Sequence, residues 1–212
     1  MLITKILRNA IMTMKIVFSL FSSLVLFFLL FISCDTAQAP ATTPEERQPL
    51  AFSAPQPEFT VKVTEAELAS PRKELKGTLN GVNITIDYGS PDTKDRTIWG
   101  SLVPYGEVWR TGANEATRIT FDESILVGEN ILAAGTYSLF TIPTEKEWQV
   151  IFNKVTDQWG AYEYDEAQDA LRMQARPISV DSSSATLEFR LAPGKIVMQW
   201  DKLVLPIPIT EA

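Results

Sequence analysis

The sequence predicts an all-β fold in which residues 58–212 form a single antiparallel β-sandwich or barrel-like domain. A series of short segments alternates apolar and polar residues with a period of two, which is the pattern of strands that bury one face. Turn signals separate these segments, and Asn80-Gly81 is the strongest of them. The predicted domain has an ordinary length for one domain, and no internal repeat divides it. These features favour a sandwich or a barrel over a helical fold.

The predicted strands follow one another without a long helical pattern between them. A polar turn over residues 144–147 and the pair Pro193-Gly194 separate the later segments. Helix is expected only as short pieces near residues 96–101 and 165–171. The apolar positions that mark the predicted strands are, in order, Phe59-Val61-Val63, Val82-Ile84-Ile86-Tyr88, Thr117-Ile119-Phe121, Tyr137-Leu139 with the neighbouring Phe140 and Ile142, Trp148-Val150-Phe152, Ala185-Leu187-Phe189-Leu191 and Ile196-Met198-Trp200.

A lipoprotein signal peptide is predicted for residues 1–33. Lys15 precedes an unbroken apolar run over residues 16–32, which ends at Ser33 directly before Cys34. A basic start, an apolar core and a small residue before the cleavage point are typical of secretory signals. A cysteine directly after that point is the residue that bacterial lipoproteins acylate. Cys34 is therefore predicted to carry the lipid that holds the protein to a membrane of the cell envelope, facing the periplasm or the cell surface.

Two alternatives to lipidation stay open. The apolar run is long enough to cross a bilayer, which takes about 20 residues, so an uncleaved anchor is one of them. Soluble export is the other. Phe31 stands where such signals usually carry leucine, and Met14 is an alternative start to Met1.

Residues 34–57 are predicted to form a disordered tether rich in Pro, Ala and Thr. They contain five prolines and one aromatic residue, Phe52. Such a segment cannot bury enough apolar surface to order itself.

Composition excludes several function classes. The chain has no histidine and one cysteine, so Ser-His-Asp triads, Cys-His dyads and His-ligated metal centres are excluded. Without residues 1–33 the chain keeps 16 of its 19 basic residues against 26 acidic ones, a formal charge of −10. That charge argues against nucleic acid as a partner. No phosphate-binding glycine loop is present, and no cofactor is expected.

The segment from Ser90 to Thr117 is long for a connection between strands. It carries three aromatic residues and three glycines. A segment this apolar is expected to pack, and its polar groups must then find partners. Its candidate binding residues are Arg96, Trp99, Tyr105, Trp109, Arg110, Asn114 and Glu115.

This segment also carries a resemblance to a known family. The motifs that carry it are SP-x4-R-x-IWG at 90–100, LVPYGEVWRTGANEAT at 102–117, AGTYSLFTIP at 134–143, W-x-VIFN at 148–153 and WGAYEYDEAQDALR at 159–172. In these stretches the chain resembles the bacterial envelope proteins grouped as domain of unknown function 2911. The resemblance implies a secreted or lipid-anchored β-rich domain with no established activity, and it supplies no catalytic residues.

Two interpretations of the segment stay open. In the structural one, an arginine–carboxylate pair and the Asn114 side chain satisfy buried backbone groups. In the binding one, Trp109 or Tyr105 stacks a ligand ring while polar groups fix its hydroxyl or carboxyl groups.

Both interpretations lead to the same expected contacts for two polar residues. Arg110 is expected to pair with Glu115 or Glu107, and Asn114 is expected to tie the turn that follows Gly112.

A second aromatic group comes later in the chain, at Trp159, Tyr162 and Tyr164. We expect its rings to pack in the core and the acidic residues around them to form a solvated edge. A calcium site is the alternative, because hard oxygen ligands are present without the spacing of a known loop. The acidic residues concerned are Asp157, Glu163, Asp165 and Glu166.

Three function classes remain. The favoured one is a non-catalytic binding module that recognises a glycan, a peptide or an envelope protein through the aromatic and arginine-bearing segment. The second is a carboxylate-based enzyme of the glycoside hydrolase type, which needs two carboxylates about 5–10 Å apart. The third is a structural or assembly lipoprotein that pairs through a sheet edge. The carboxylates available to the second class are Glu107, Glu115, Asp122 and Glu123.

Lipidation of Cys34 can be tested directly. We expect labelled fatty acid to enter the wild-type protein in a lipoprotein-processing host and to be absent from Cys34→Ser, because the chain has no other thiol. The measurement is autoradiography of the immunoprecipitated protein after envelope fractionation. Label in the Cys34→Ser protein, or none in the wild type, contradicts the prediction.

Overall fold

The computed structural model describes residues 56–212. The predicted signal peptide, the Cys34 anchor and nearly all of the predicted tether lie outside the described residues and stay predictions. Within residues 56–212, no helix has the length and apolarity needed to span a bilayer.

The described residues form antiparallel strands arranged in two sheets. The larger sheet has seven strands in the order β1-β2-β3-β4-β7-β8-β9, and the smaller has four in the order β10-β11-β5-β6. The two sheets pack as a sandwich, which confirms the all-β prediction and selects the sandwich over the barrel. The strands are β1 (Phe59–Glu65), β2 (Arg72–Leu79), β3 (Val82–Gly89), β4 (Thr117–Phe121), β5 (Ile125–Val127), β6 (Asn130–Leu132), β7 (Gly135–Ile142), β8 (Trp148–Asn153), β9 (Asp169–Ala175), β10 (Ile178–Ala192) and β11 (Lys195–Glu211).

The turn signals in the sequence correspond to hairpins. Asn80 and Gly81 have φ angles of 50° and 82° and join β2 to β3. Two successive positive φ angles are what a tight two-residue hairpin needs, and an Asn-Gly pair adopts them at low cost. Gly194, with a φ of 68°, lies in the two-residue turn that joins β10 to β11. That turn has one positive φ angle and not two, because the ring of Pro193 fixes its φ at a negative value.

The predicted helical pieces are mostly absent. Of the stretch 165–171, only Glu166–Gln168 forms a single 3-10 turn. Residues 96–101 form turns instead, and the prediction there is wrong. Gly100 has a φ of 77°, and Trp99 makes a bridge to Val103. A left-handed residue and a local bridge are incompatible with a continuing right-handed helix.

The core between the two sheets contains four of the five tryptophans. Their ring centroids lie 4.9–6.4 Å apart in mainly edge-to-face pairs. Trp148 is on β8 and Trp200 is on β11, whereas Trp99 and Trp109 come from the connection between β3 and β4. This tryptophan cluster therefore holds the connection against both sheets, which confirms that the segment packs.

The outer face of the larger sheet, which is turned away from the smaller sheet, is partly covered by connecting segments. Ala116, Phe140 and Ile151 are buried there. Ala161 and Tyr164, from the connection between β8 and β9, pack on these residues. Two connections thus meet on this outer face, one after β3 and one after β8.

β1 departs from the predicted pattern of one buried face. All seven of its residues are exposed. Its residues Phe59, Val61 and Val63 lie opposite positions of β2 that face the smaller sheet. The prediction fails because the smaller sheet ends at β10, which packs on β2. The alternation does mark a strand, but β1 lies beyond the edge of the smaller sheet, which therefore does not cover it.

Removing the Trp109 ring should destabilise the protein strongly. Trp109 is 8% exposed and contacts the rings of three other tryptophans. Trp109→Ala should therefore lower the free energy of unfolding by about 3–5 kcal/mol, the usual cost of deleting a large buried ring. Tyr105→Ala, in the same connection but 41% exposed, is the control and should cost less than about 1 kcal/mol. Urea unfolding followed by circular dichroism measures both, and equal losses would contradict the assigned packing.

Candidate functional site

The candidate site lies where the two connections meet on the outer face of the larger sheet. The backbone amide of Gly160 donates to the carbonyl of Asn114 at 3.0 Å, and that of Ala116 donates to Gln158 at 3.0 Å. Glu115 and Trp159 form a bridge between these two bonds. We call this region, residues 110–116 together with residues 158–164, the outer-face junction.

Two aromatic side chains of the junction point into solvent. Trp159 is 58% exposed and Tyr162 is 86% exposed. The expectation that they pack in the core is wrong for both, because their connection lies on the outer face and turns only Tyr164 inward. Tyr164 packs edge-to-face on Phe140, with ring centroids 5.1 Å apart. Gly160, at a φ of 65°, leaves room for the Tyr162 ring, which a Cβ atom there would meet at 2.9 Å.

Arg110 is a half-buried cation without a partner among the described residues. Its Nε atom is buried and has no hydrogen-bond acceptor. No carboxylate of residues 56–212 lies within salt-bridge distance of its guanidinium. Burial lowers the pKa of Arg110, and the neighbouring Tyr162 phenol opposes that shift. The predicted pairing of Arg110 with Glu115 or Glu107 is wrong.

Glu115 pairs with Arg72 instead. The Nη1 atom of Arg72 donates to a carboxylate oxygen of Glu115 at 2.8 Å, and the same guanidinium pairs with Asp87. Arg72 is 4% exposed, so its charge is buried and balanced by two carboxylates. Sequence reasoning missed this pair because Arg72 precedes Glu115 by 43 residues and only the sheet brings them together.

Asn114 fastens the junction to the start of β2. Its Nδ2 atom donates to the carbonyl of Ser70 at 3.2 Å, and its φ angle is 63°. The turn after Gly112 is held by other groups, because the Thr117 hydroxyl donates to the carbonyl of Thr111 at 2.9 Å. The prediction that Asn114 ties that turn is therefore wrong.

The remaining predicted binding residues lie elsewhere. Trp99 and Trp109 belong to the tryptophan cluster in the core. Arg96 is exposed and donates to the backbone carbonyls of Asp92 and Thr93. Tyr105 is partly exposed and lies against Gly100. Of the seven candidates, the outer-face junction brings together Arg110, Asn114 and Glu115.

A second arginine shows the contrast with Arg110. Arg172 lies in a surface groove of about 480 Å³ between the β5–β6 turn and β8 and β9. Its Nε atom donates to Asp169 at 2.6 Å, and its Nη2 atom donates to the Tyr164 hydroxyl at 2.6 Å. Because these groups already satisfy the guanidinium, the groove offers no free cation to a ligand.

Two of the candidate carboxylates, Glu115 and Asp122, lie too far apart to act as a catalytic pair. Glu115 and Asp122 lie just before and just after β4, which separates them by about 20 Å of extended chain. Glycoside hydrolysis needs carboxylates about 5–10 Å apart. A hydrogen bond from the Asn83 side chain lowers the pKa of Asp122, whereas a catalytic acid needs a raised pKa. Residues 56–212 hold no cluster of three His, Cys, Asp or Glu side chains suited to a metal ion.

Comparison with known proteins identifies the family. A family described as "Protein of unknown function (DUF2911)" matches residues 70–209. The chain belongs to this family. The DUF2911 match covers β2 to β10 and most of β11, and it includes every residue of the outer-face junction; β1 precedes it. No curated protein and no solved structure matches the chain.

The environment of Tyr164 predicts how this DUF2911 protein loses stability in alkali. Burial and the hydrogen bond to Asp169 raise the pKa of Tyr164 to about 12, against about 10 in an unfolded chain. The protonated Tyr164 hydroxyl therefore stabilises the folded state fully below a pH of about 10, and this contribution is lost as the pH rises towards 12.

Tyr164→Phe removes this titration. We expect the free energy of unfolding of the wild type to fall more steeply than that of Tyr164→Phe between pH 10 and pH 12. Between about pH 7 and pH 9 the two profiles should run parallel, which is the internal control. Urea unfolding at a series of pH values measures both profiles. Parallel profiles throughout the alkaline range would contradict the assigned environment.

Proposed function

We propose that this protein is a non-catalytic binding module of the cell envelope that binds a carboxylate-bearing ligand at the outer-face junction. The observation that carries the proposal is the half-buried guanidinium of Arg110, which has no partner within residues 56–212 and lies near the exposed Tyr162. The exposed Trp159 belongs to the same junction.

An unpaired charge that has lost part of its hydration is costly. Arg72 and Arg172 each have carboxylate partners within the fold. The fold therefore provides carboxylates for arginines that support the structure. Arg110 has none among the residues that the structure describes. A ligand carboxylate would satisfy it, because the planar guanidinium matches a carboxylate with two parallel hydrogen bonds.

The exposed rings supply the second half of the site. Tryptophan and tyrosine offer a large apolar surface with a polar edge, and they contribute strongly where proteins bind ligands. Trp159 and Tyr162 are three residues apart in the junction, on either side of Gly160. They would pack on the apolar face of a sugar ring or of a peptide side chain while Arg110 holds the carboxylate.

The backbone that carries these groups is fixed in advance. Asn114 is bonded to Ser70, Glu115 to Arg72, and Gly160 to Asn114. A site held in this way loses little conformational entropy when a ligand binds. The predicted lipid at Cys34 supports the placement of such a module at the envelope.

The proposal predicts opposite effects of one substitution on stability and on binding. Arg110→Gln removes an unpaired cation, so the free energy of unfolding should stay within about 0.5 kcal/mol of the wild type or rise. Binding of a uronic-acid glycan or of a peptide with a free terminal carboxylate should weaken at least about tenfold. Trp159→Ala should weaken binding by a similar factor.

Matched probes and a control variant sharpen the test. The neutral glycan and the amidated peptide should bind the wild type weakly, because neither offers a carboxylate to Arg110. Arg96→Gln, at an exposed arginine outside the junction, should bind as the wild type does. Isothermal titration calorimetry measures all pairs. Two outcomes would contradict the proposal. In one, Arg110→Gln and Trp159→Ala both bind an acidic probe as tightly as the wild type does; in the other, the wild type binds no acidic probe.

A further inference from the structure

We propose that two copies of this chain associate through β1, whose free edge pairs antiparallel with the same strand of the second copy. Among the described strands, only β2 pairs with β1, so β1 is an edge of the seven-stranded sheet. Pairing about a two-fold axis would join the two larger sheets into one continuous sheet.

The free edge of β1 presents backbone groups that can accept this pairing. The amide of Thr78 donates to the carbonyl of Glu58, and the register continues with Thr60 opposite Lys76. Hydrogen-bonding groups alternate between the two sides of a strand. The amides and carbonyls of Phe59, Val61 and Val63 therefore point away from β2, towards the second copy.

The same three residues leave an apolar row uncovered. Phe59, Val61 and Val63 are 38%, 42% and 47% exposed. They lie on the side of the smaller sheet but beyond its edge strand, β10. A two-fold axis perpendicular to the sheet keeps both copies' rows on one side, where they would pack on each other between the two smaller sheets.

A β-bulge limits the length of the pairing. The register of β1 shifts between Val63 and Glu65, and a bulge interrupts further pairing at an edge. The regular stretch accordingly covers residues 58–63.

Charge complementarity selects Thr60 as the midpoint of the pairing within this stretch. With Thr60 on the two-fold axis, Glu58 lies opposite the partner's Lys62, and Phe59 lies opposite the partner's Val61. Opposite charges facing each other across a pair stabilise it, whereas like charges destabilise it. A register centred on Lys62 would place the two Lys62 side chains against each other.

This association is independent of the outer-face junction. The junction lies on the opposite side of the larger sheet, and β1 precedes the residues that match the family. A single strand pair is smaller than a standard interface, so the dimer should be weak in dilute solution. Two chains anchored to one membrane would meet at a high effective concentration, which favours the dimer there.

Disulfide trapping in the envelope tests the pairing. The two Thr60 residues would form a pair without backbone hydrogen bonds, in which the Cα atoms are close enough for a disulfide. Full-length Thr60→Cys, treated with a mild oxidant in envelope membranes, should give a disulfide-linked dimer on a non-reducing gel. Thr64→Cys is the matched control, because it lies four residues from Thr60 in the same strand but beyond the regular stretch, and it should stay monomeric. The wild type controls for Cys34.

A charge-reversal cycle gives an independent readout. Glu58→Lys and Lys62→Glu should each weaken the dimer about tenfold, because each places two like-charge pairs across the axis. The double variant Glu58→Lys/Lys62→Glu should return to wild-type affinity. Within one chain these residues are about 13 Å apart, so they cannot compensate each other there. Sedimentation equilibrium of the detergent-solubilised protein measures the affinity. Absence of the Thr60→Cys dimer, equal trapping at Thr64→Cys, or a double variant as weak as the single ones would overturn the proposal.

Discussion

The packing of four tryptophans between the sheets is the interaction on which the candidate site depends. Trp148 and Trp200 belong to strands, one from each sheet, whereas Trp99 and Trp109 belong to the connection that leads to the site. Aromatic pairs in edge-to-face contact add stability beyond the area they bury. Because the Trp109 side chain is packed in the core, the side chain of the next residue, Arg110, lies on the opposite side of the backbone. The core packing therefore also fixes the position of the outer-face junction.

Two arginines on the outer face have opposite roles. Arg72 is deeply buried, and Asp87 and Glu115 balance its charge. Removing Arg72 would take this partner from both carboxylates, so this group of side chains acts as a structural support. Arg110 has no such carboxylate partner in the described part of the chain. The difference between the two lies in the partners that the fold supplies and not in the residue type.

Local patterns predicted the strands well because the alternation of apolar residues and the Asn80-Gly81 turn report on neighbouring residues. They failed where the outcome depends on distant parts of the chain. The overhang of β1 depends on where the smaller sheet ends. Arg72 finds Glu115 only after β2 and β3 align. Equally, nothing local distinguishes the buried Trp109 from the exposed Trp159, because both stand in aromatic connections between strands.

The unequal placement of the five tryptophans has a spectroscopic consequence. Four indoles lie within 6.4 Å of one another in contacting pairs, so light absorbed by one is shared among them and emitted from an apolar environment at short wavelength. The Trp159 side chain is exposed to solvent, so its fluorescence lies at longer wavelength and is quenched by acrylamide. The protein therefore carries tryptophans in two environments whose emission differs in colour, four that report on the integrity of the sandwich core and one that reports on the surroundings of the outer-face junction.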